Sequence, residues 1–61
     1  METNVWYFDN GHEVMGTIEE IKTKFPCFVK VDILELDWIE VSVTARIEDM
    51  GAIENMLARF A

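Results

Sequence analysis

This 61-residue chain has one cysteine, one proline, one histidine and only five lysines and arginines, and most of these shortages close off a class of function. A single thiol, Cys27, cannot close an internal disulfide, and together with the single His12 it offers no zinc-ligand spacing. The basic residues stand against twelve acidic ones, a net charge of −7, which is the wrong sign for holding nucleic-acid phosphates or anionic lipid. No direct nucleic-acid binding and no membrane contact are expected. No apolar run approaches the roughly 18 residues of a membrane span, and the opening METNVWYF lacks the charged flank and apolar core of a signal peptide. The cytoplasm is therefore the expected compartment. The three glycines stand singly at 11, 16 and 51, so no glycine-rich loop can cradle a phosphate.

Chemistry is equally thin. His12 beside Glu13 is the one conceivable general base, yet no second histidine, serine motif or spaced carboxylate pair accompanies it. Cys27, between Pro26 and Phe28 in an acidic chain, reads as a small buried hydrophobe rather than a nucleophile. Asp32, Glu35 and Asp37 lack the ligand order and turn glycine of a calcium loop. No catalytic residue, metal or cofactor is expected.

What the chain does have is apolar content: 51% of it is hydrophobic, too much for a disordered segment. Residues 1–61 are read as one α+β domain. A domain this small buries only about 60% of its unfolded surface and draws on disulfides, metals, unusually ideal packing or association for stability. With no disulfide or metal available, a homodimer is expected.

The clearest pattern runs from Ile39 to Ile47, where odd positions are apolar and even ones polar, as on a strand with one face on a core. Phe28 to Leu34 is its hairpin partner, with Val29, Val31 and Ile33 on one side. Facing residues share a side, so two registers with odd loops compete. Ile33 opposite Ile39 sets Asp32 against Glu40, a like-charge pair. Ile33 opposite Val41 avoids that pair with a loop at Leu36, Asp37 and Trp38, and is preferred; a bulge near Ile33 and Leu34 would instead permit an even loop.

Two helices are predicted. Thr17 and Glu20 fit a capping box ahead of Ile18, Ile21 and Phe25, and Pro26 ends that helix. The other runs from an Asp49 cap to Phe60 on a stripe of Ile53, Met56, Leu57 and Phe60. Near the N-terminus, Asn10-Gly11 is a strong hairpin signal between strands at about Asn4 to Asp9 and His12 to Met15. The alternative is a helix beginning near His12. The predicted fold is two-layer: a four-stranded, mainly antiparallel sheet with two helices on one face, ordered ββαββα, or βαββα in the alternative.

Val5, Trp6, Tyr7 and Phe8 are apolar in succession, so one pair must face away from the helices. Trp6 and Phe8, with Phe28 and Leu34, are assigned to the oligomer interface. The second surface is the hairpin VDILELDWIEVSV, where Trp38 would anchor a protein partner and Asp32, Glu35, Asp37 and Glu40 would steer its basic groove. In the plainer reading the acids only keep the hairpin soluble and the indole folds back. The expected function is a small acidic, non-catalytic binding module that inhibits, adapts or regulates a macromolecular partner, of the size and charge seen among accessory proteins of bacteriophages. The alternatives are a DNA mimic, built on Glu2, Asp9, Glu13, Glu19, Glu48 and Glu54 among others, and a structural subunit of a homo-oligomer.

Overall fold

The structure is a computed structural model and describes residues 1–60. Its order is βαββα: β1 (Glu2–Phe8), α1 (Gly11–Lys24), β2 (Cys27–Glu35), β3 (Trp38–Ala45) and α2 (Ile47–Ala58). The three strands form one antiparallel sheet in the order β1-β3-β2. β3 is therefore central, and β1 and β2 run parallel to each other on either side of it.

The alternation read from Ile39 onward decides which face is covered. Ile39, Val41, Val43 and Ala45 are buried together with Phe8 of β1, with Val14, Ile18 and Ile21 of α1, and with Met50, Ile53 and Leu57 of α2, in a single core. Both helices thus lie on one face of the sheet. Cross-strand pairing carries Cys27, Val29, Val31 and Ile33 of β2, and Asn4, Trp6 and Phe8 of β1, to that same face.

The expected fourth strand at His12–Met15 is not there, because those residues are the first turns of α1. Asn10-Gly11 starts a helix instead of turning a hairpin: the Asn10 carbonyl accepts from the amides of Glu13 (3.0 Å) and Val14 (3.3 Å). The apolar stripe of Ile18 and Ile21 extends back through Val14 to Gly11, all on one helical face and all buried. Thr17, expected as a cap, lies buried in the middle of that helix. Lys22 and Lys24 in the last turn suit the helix dipole, and the chain leaves in extended conformation at Phe25, ahead of Pro26. α2 begins two residues before the expected Asp49 cap, with Asp49 in its first turn accepting from Arg46 Nε at 2.9 Å.

The β2–β3 register differs from the preferred expectation of Ile33 opposite Val41. Ile33 faces Ile39 and Asp32 faces Glu40, while Glu35 faces Trp38 across a two-residue turn, and the ladder slips between Ile33 and Glu35, where a bulge was allowed for. The like-charge pair is tolerated because both carboxylates are relieved: Tyr7 donates to Glu40 at 2.7 Å and Lys30 Nζ lies 3.8 Å from Asp32.

Two glycines in the helices serve no close approach. Nothing lies within 4 Å of where a Cβ would sit at Gly16 or Gly51. Gly16→Ala and Gly51→Ala are each expected to stabilise the domain by about 0.5–1 kcal/mol. Thermal unfolding of both variants checks this, and a lowered midpoint would contradict it.

Candidate functional site

The tip of the β2–β3 hairpin folds against the start of α1. Gly11 N–H donates to the Asp37 carbonyl at 2.7 Å, and His12 Nδ1 lies 3.2 Å from Asp37 Oδ2. Only glycine permits this approach, since a Cβ at position 11 would stand 2.6 Å from that same carbonyl oxygen and 2.8 Å from Ile39 Cγ2. α1 opens against Asp37 and Ile39, and Ile33 near the far end of edge strand β2, though paired onto the covered face, is left open to water. The result is a groove of about 400 Å³ lined by Gly11, His12, Met15, Val31, Ile33, Leu36, Asp37 and Ile39. Its outer wall is apolar and open to water: Ile33 is 76% exposed and Leu36 is 92% exposed.

Leu36 also has a φ of 48°, the one positive φ at a non-glycine residue among those described. A branched side chain in the left-handed region costs roughly 1–2 kcal/mol, and glycine or asparagine would fit there more easily. A large apolar residue thus occupies the most exposed point of the tip in a backbone conformation that disfavours it.

The five residues expected to form the partner site are divided between two faces. Asp32, Glu40 and Trp38 belong to the open face of the sheet, where Trp38 is half-exposed. Asp37 belongs to the groove side, tied to Gly11 and His12. Glu35 pairs with Trp38 in the ladder and has no side-chain partner among the described residues. The expected interface residues divide as well. Trp6 and Phe8 face the helices, Phe8 being only 4% exposed, because their partners in β3 are the buried Val41 and Ile39. The outward pair on β1 is Val5 and Tyr7. Phe28 does lie exposed on the open face, and Leu34 is half-exposed where the ladder slips.

Sequence reasoning missed the groove because its wall comes from three separated segments, and Ile33 reads only as sharing one side of its strand with Val29 and Val31. One signal was present. A helix read from Thr17 to Phe25 spans about 13 Å and a strand from Phe28 to Leu34 about 23 Å, so one helix cannot shield the whole of that strand.

Charge is distributed unevenly. Asp9, Glu13, Glu35 and Asp37 gather at the end of the molecule that holds the tip, whereas at the other end, where α1 closes and β3 finishes, Lys22, Lys24 and Arg46 stand among Glu2, Glu48 and Asp49. Among the described residues no group of three histidine, cysteine or carboxylate side chains is placed to hold a metal ion. The Cys27 thiol is pushed up from its ordinary range by burial, with Lys22 lowering it and Asp49 raising it, and its sulfur lies 3.9 Å from the Ile21 carbonyl. A thiol held in its protonated form is a weak nucleophile.

Tyr7 is the chain's only tyrosine, and its hydroxyl is pushed above the ordinary value of 10.0, first by its hydrogen bond to Glu40, next by that carboxylate's charge and last by slight burial. The folded state therefore prefers the neutral phenol. Its contribution is complete below pH 10 and is lost as pH rises through the raised folded value. Glu40→Thr should return the phenol titration, followed by ultraviolet absorbance, towards the ordinary value; an unmoved titration would contradict this pairing.

Among the described residues no helix is long and apolar enough to cross a membrane. Compared with known proteins, the chain matches no family model, no curated protein and no solved structure, so no activity is inherited by likeness.

Proposed function

We propose that this chain is a small non-catalytic binding module that acts by docking on another protein, as an inhibitor, adaptor or regulator, and that it docks through the groove between α1 and the hairpin tip. The supporting observation is Leu36. An apolar side chain that is 92% exposed, in a strained turn, beside an open apolar groove, is a costly arrangement that contact with a partner would repay. The acid on the groove wall indicates the partner's chemistry: an apolar side chain enters the groove, and a flanking lysine or arginine meets Asp37. Steering of this kind raises the association rate and weakens with salt. A DNA mimic is less well supported, because Glu19 and Asp49 are already paired with Lys22 and Arg46.

The test is a nuclear magnetic resonance titration with short peptides that place one leucine or phenylalanine between lysines and arginines. Shifts are expected at Gly11, Met15, Ile33 and Leu36, and Leu36→Asp should weaken binding at least about tenfold, by removing one buried apolar side chain, without unfolding the domain. Shifts confined to Trp38 and the open face would contradict the groove, and no binding at any salt concentration would remove the proposal.

A further inference from the structure

The sheet has two free edges, and they differ. The β2 edge is guarded by Pro26 at its entrance, by Lys30, and by the slip in the ladder between Ile33 and Glu35, devices that blunt an edge against pairing. The β1 edge has none of them. It runs from Glu2 to Phe8 in unbroken register with β3, and from Thr3 to Phe8 it carries no charge. On the covered side α2 forms a ledge along this edge, tied to it where Asn4 Nδ2 donates to Glu54 Oε1 at 3.0 Å. Ile47, Gly51 and Ala58 share the helical side of Glu54, and all four are exposed. Ile47 is 68% exposed, and nothing lies within 4 Å of where a Cβ would sit at Gly51. The ledge is thus apolar and notched, with one carboxylate in its middle.

No lysine or arginine pairs with that carboxylate among the described residues. Lys22, Lys24 and Lys30 belong to α1 and β2, Arg46 is held by Asp49 at 2.9 Å, and Arg59 lies about 140° round α2 from Glu54. We infer that β1 accepts an extended segment of a basic partner protein as a fourth strand, lying beside the ledge of α2. Main-chain hydrogen bonds to the free edge supply the affinity, and alternate side chains supply the specificity. Partner residues opposite Asn4 and Trp6 share the covered side of the sheet. The one opposite Asn4 comes over Glu54, where a lysine or arginine is matched. Its neighbours two positions away lie over Ile47, Gly51 and Ala58 and are apolar. A second copy of this chain would bring another Glu54 to the same place and add its own charge of −7, so it is the poorer occupant. The groove, on the β2 side of the sheet, is a separate surface.

The probe is an extended peptide that alternates threonine with valine and carries lysine in place of the central valine, at about 1 mM, where a Kd of that order is visible. Nuclear magnetic resonance titration of the whole chain should shift the amides of Thr3 to Tyr7 and protect from exchange those that the free edge leaves open. Methylating one alternate set of peptide nitrogens should abolish binding, and methylating the other set should not. Glu54→Lys should weaken binding of the lysine peptide about threefold to tenfold and favour the same peptide with glutamate in place of lysine. Gly51→Leu, which fills the notch, should weaken both peptides, whereas Leu36→Asp, in the groove, should affect neither. Circular dichroism establishes that each variant is folded. Absence of binding, shifts that miss β1, equal effects of the two methylated sets, indifference to Glu54→Lys, or a dimer of the chain alone that protects every β1 amide would each overturn the inference.

Discussion

Gly11→Ala is expected to destabilise the domain by about 2–4 kcal/mol, combining overpacking of about 1–3 kcal/mol with a weakened buried hydrogen bond of about 1 kcal/mol. The added methyl meets the Asp37 carbonyl at 2.6 Å and Ile39 Cγ2 at 2.8 Å. The first of these is backbone and cannot rotate away, so the tip must lift from α1 and stretch the 2.7 Å Gly11–Asp37 bond. Elsewhere in this helix the same substitution has the opposite sign, since Gly16 faces open space. A total stability of about 3–9 kcal/mol is ordinary for a chain of this length, so this one methyl consumes a large part of it. Urea unfolding of the two alanine variants beside the wild type is the check. Equal stability of Gly11→Ala and wild type would mean that the tip is not held against the helix as described.

Leu57→Ala is expected to cost about 2–5 kcal/mol. Leu57 is fully buried near the end of α2 and belongs to the same core as Ile39, Val41 and Val43 of the central strand. α2 has no side-chain cap at its start and no basic residue in its last turn, so packing of Met50, Ile53 and Leu57 is what keeps it in place. In a domain this small each kcal/mol moves the thermal midpoint by about 4–8 °C. A fall of at least about 8 °C should follow, read by circular dichroism. Leu36→Ala, which removes an equally large but almost wholly exposed side chain, should shift the midpoint little. Comparable losses from both variants would contradict the assignment of inside and outside.

Some of this was legible in the residues. Strict alternation in β3 fixed the buried face, because one covered side leaves a strand no other register of apolar groups. The stripe of Ile53 and Leu57 was readable for the same reason. The start of α1 was not, because Asn10-Gly11 satisfies a tight hairpin and a glycine pressed against a distant carbonyl equally well, and only the tertiary contact with Asp37 decides between them. The hairpin register was misjudged by weighing one like-charge pair too heavily. Exposed carboxylates are cheaply relieved by a hydroxyl and a lysine, whereas facing Ile33 with Ile39 lets the ladder run on to Cys27 opposite Ala45 and leaves neither strand end unpaired. The acids at the tip were visible as composition, but the turn that sends Asp37 to one face and Glu40 to the other was not. Val5 to Phe8 carried no phase of its own; their orientation is imposed by pairing with β3.

The placement of β3 between β1 and β2 has a kinetic consequence. The hairpin of β2 and β3 closes across a two-residue turn, a local event of microseconds, but β1 has no neighbour until β3 exists, and Glu2 must then find Ala45 across most of the chain. Made on a ribosome, β1 emerges well before the strand it pairs with, and until β3 follows, its uncharged, aromatic length stays within reach of chaperones and of other nascent chains.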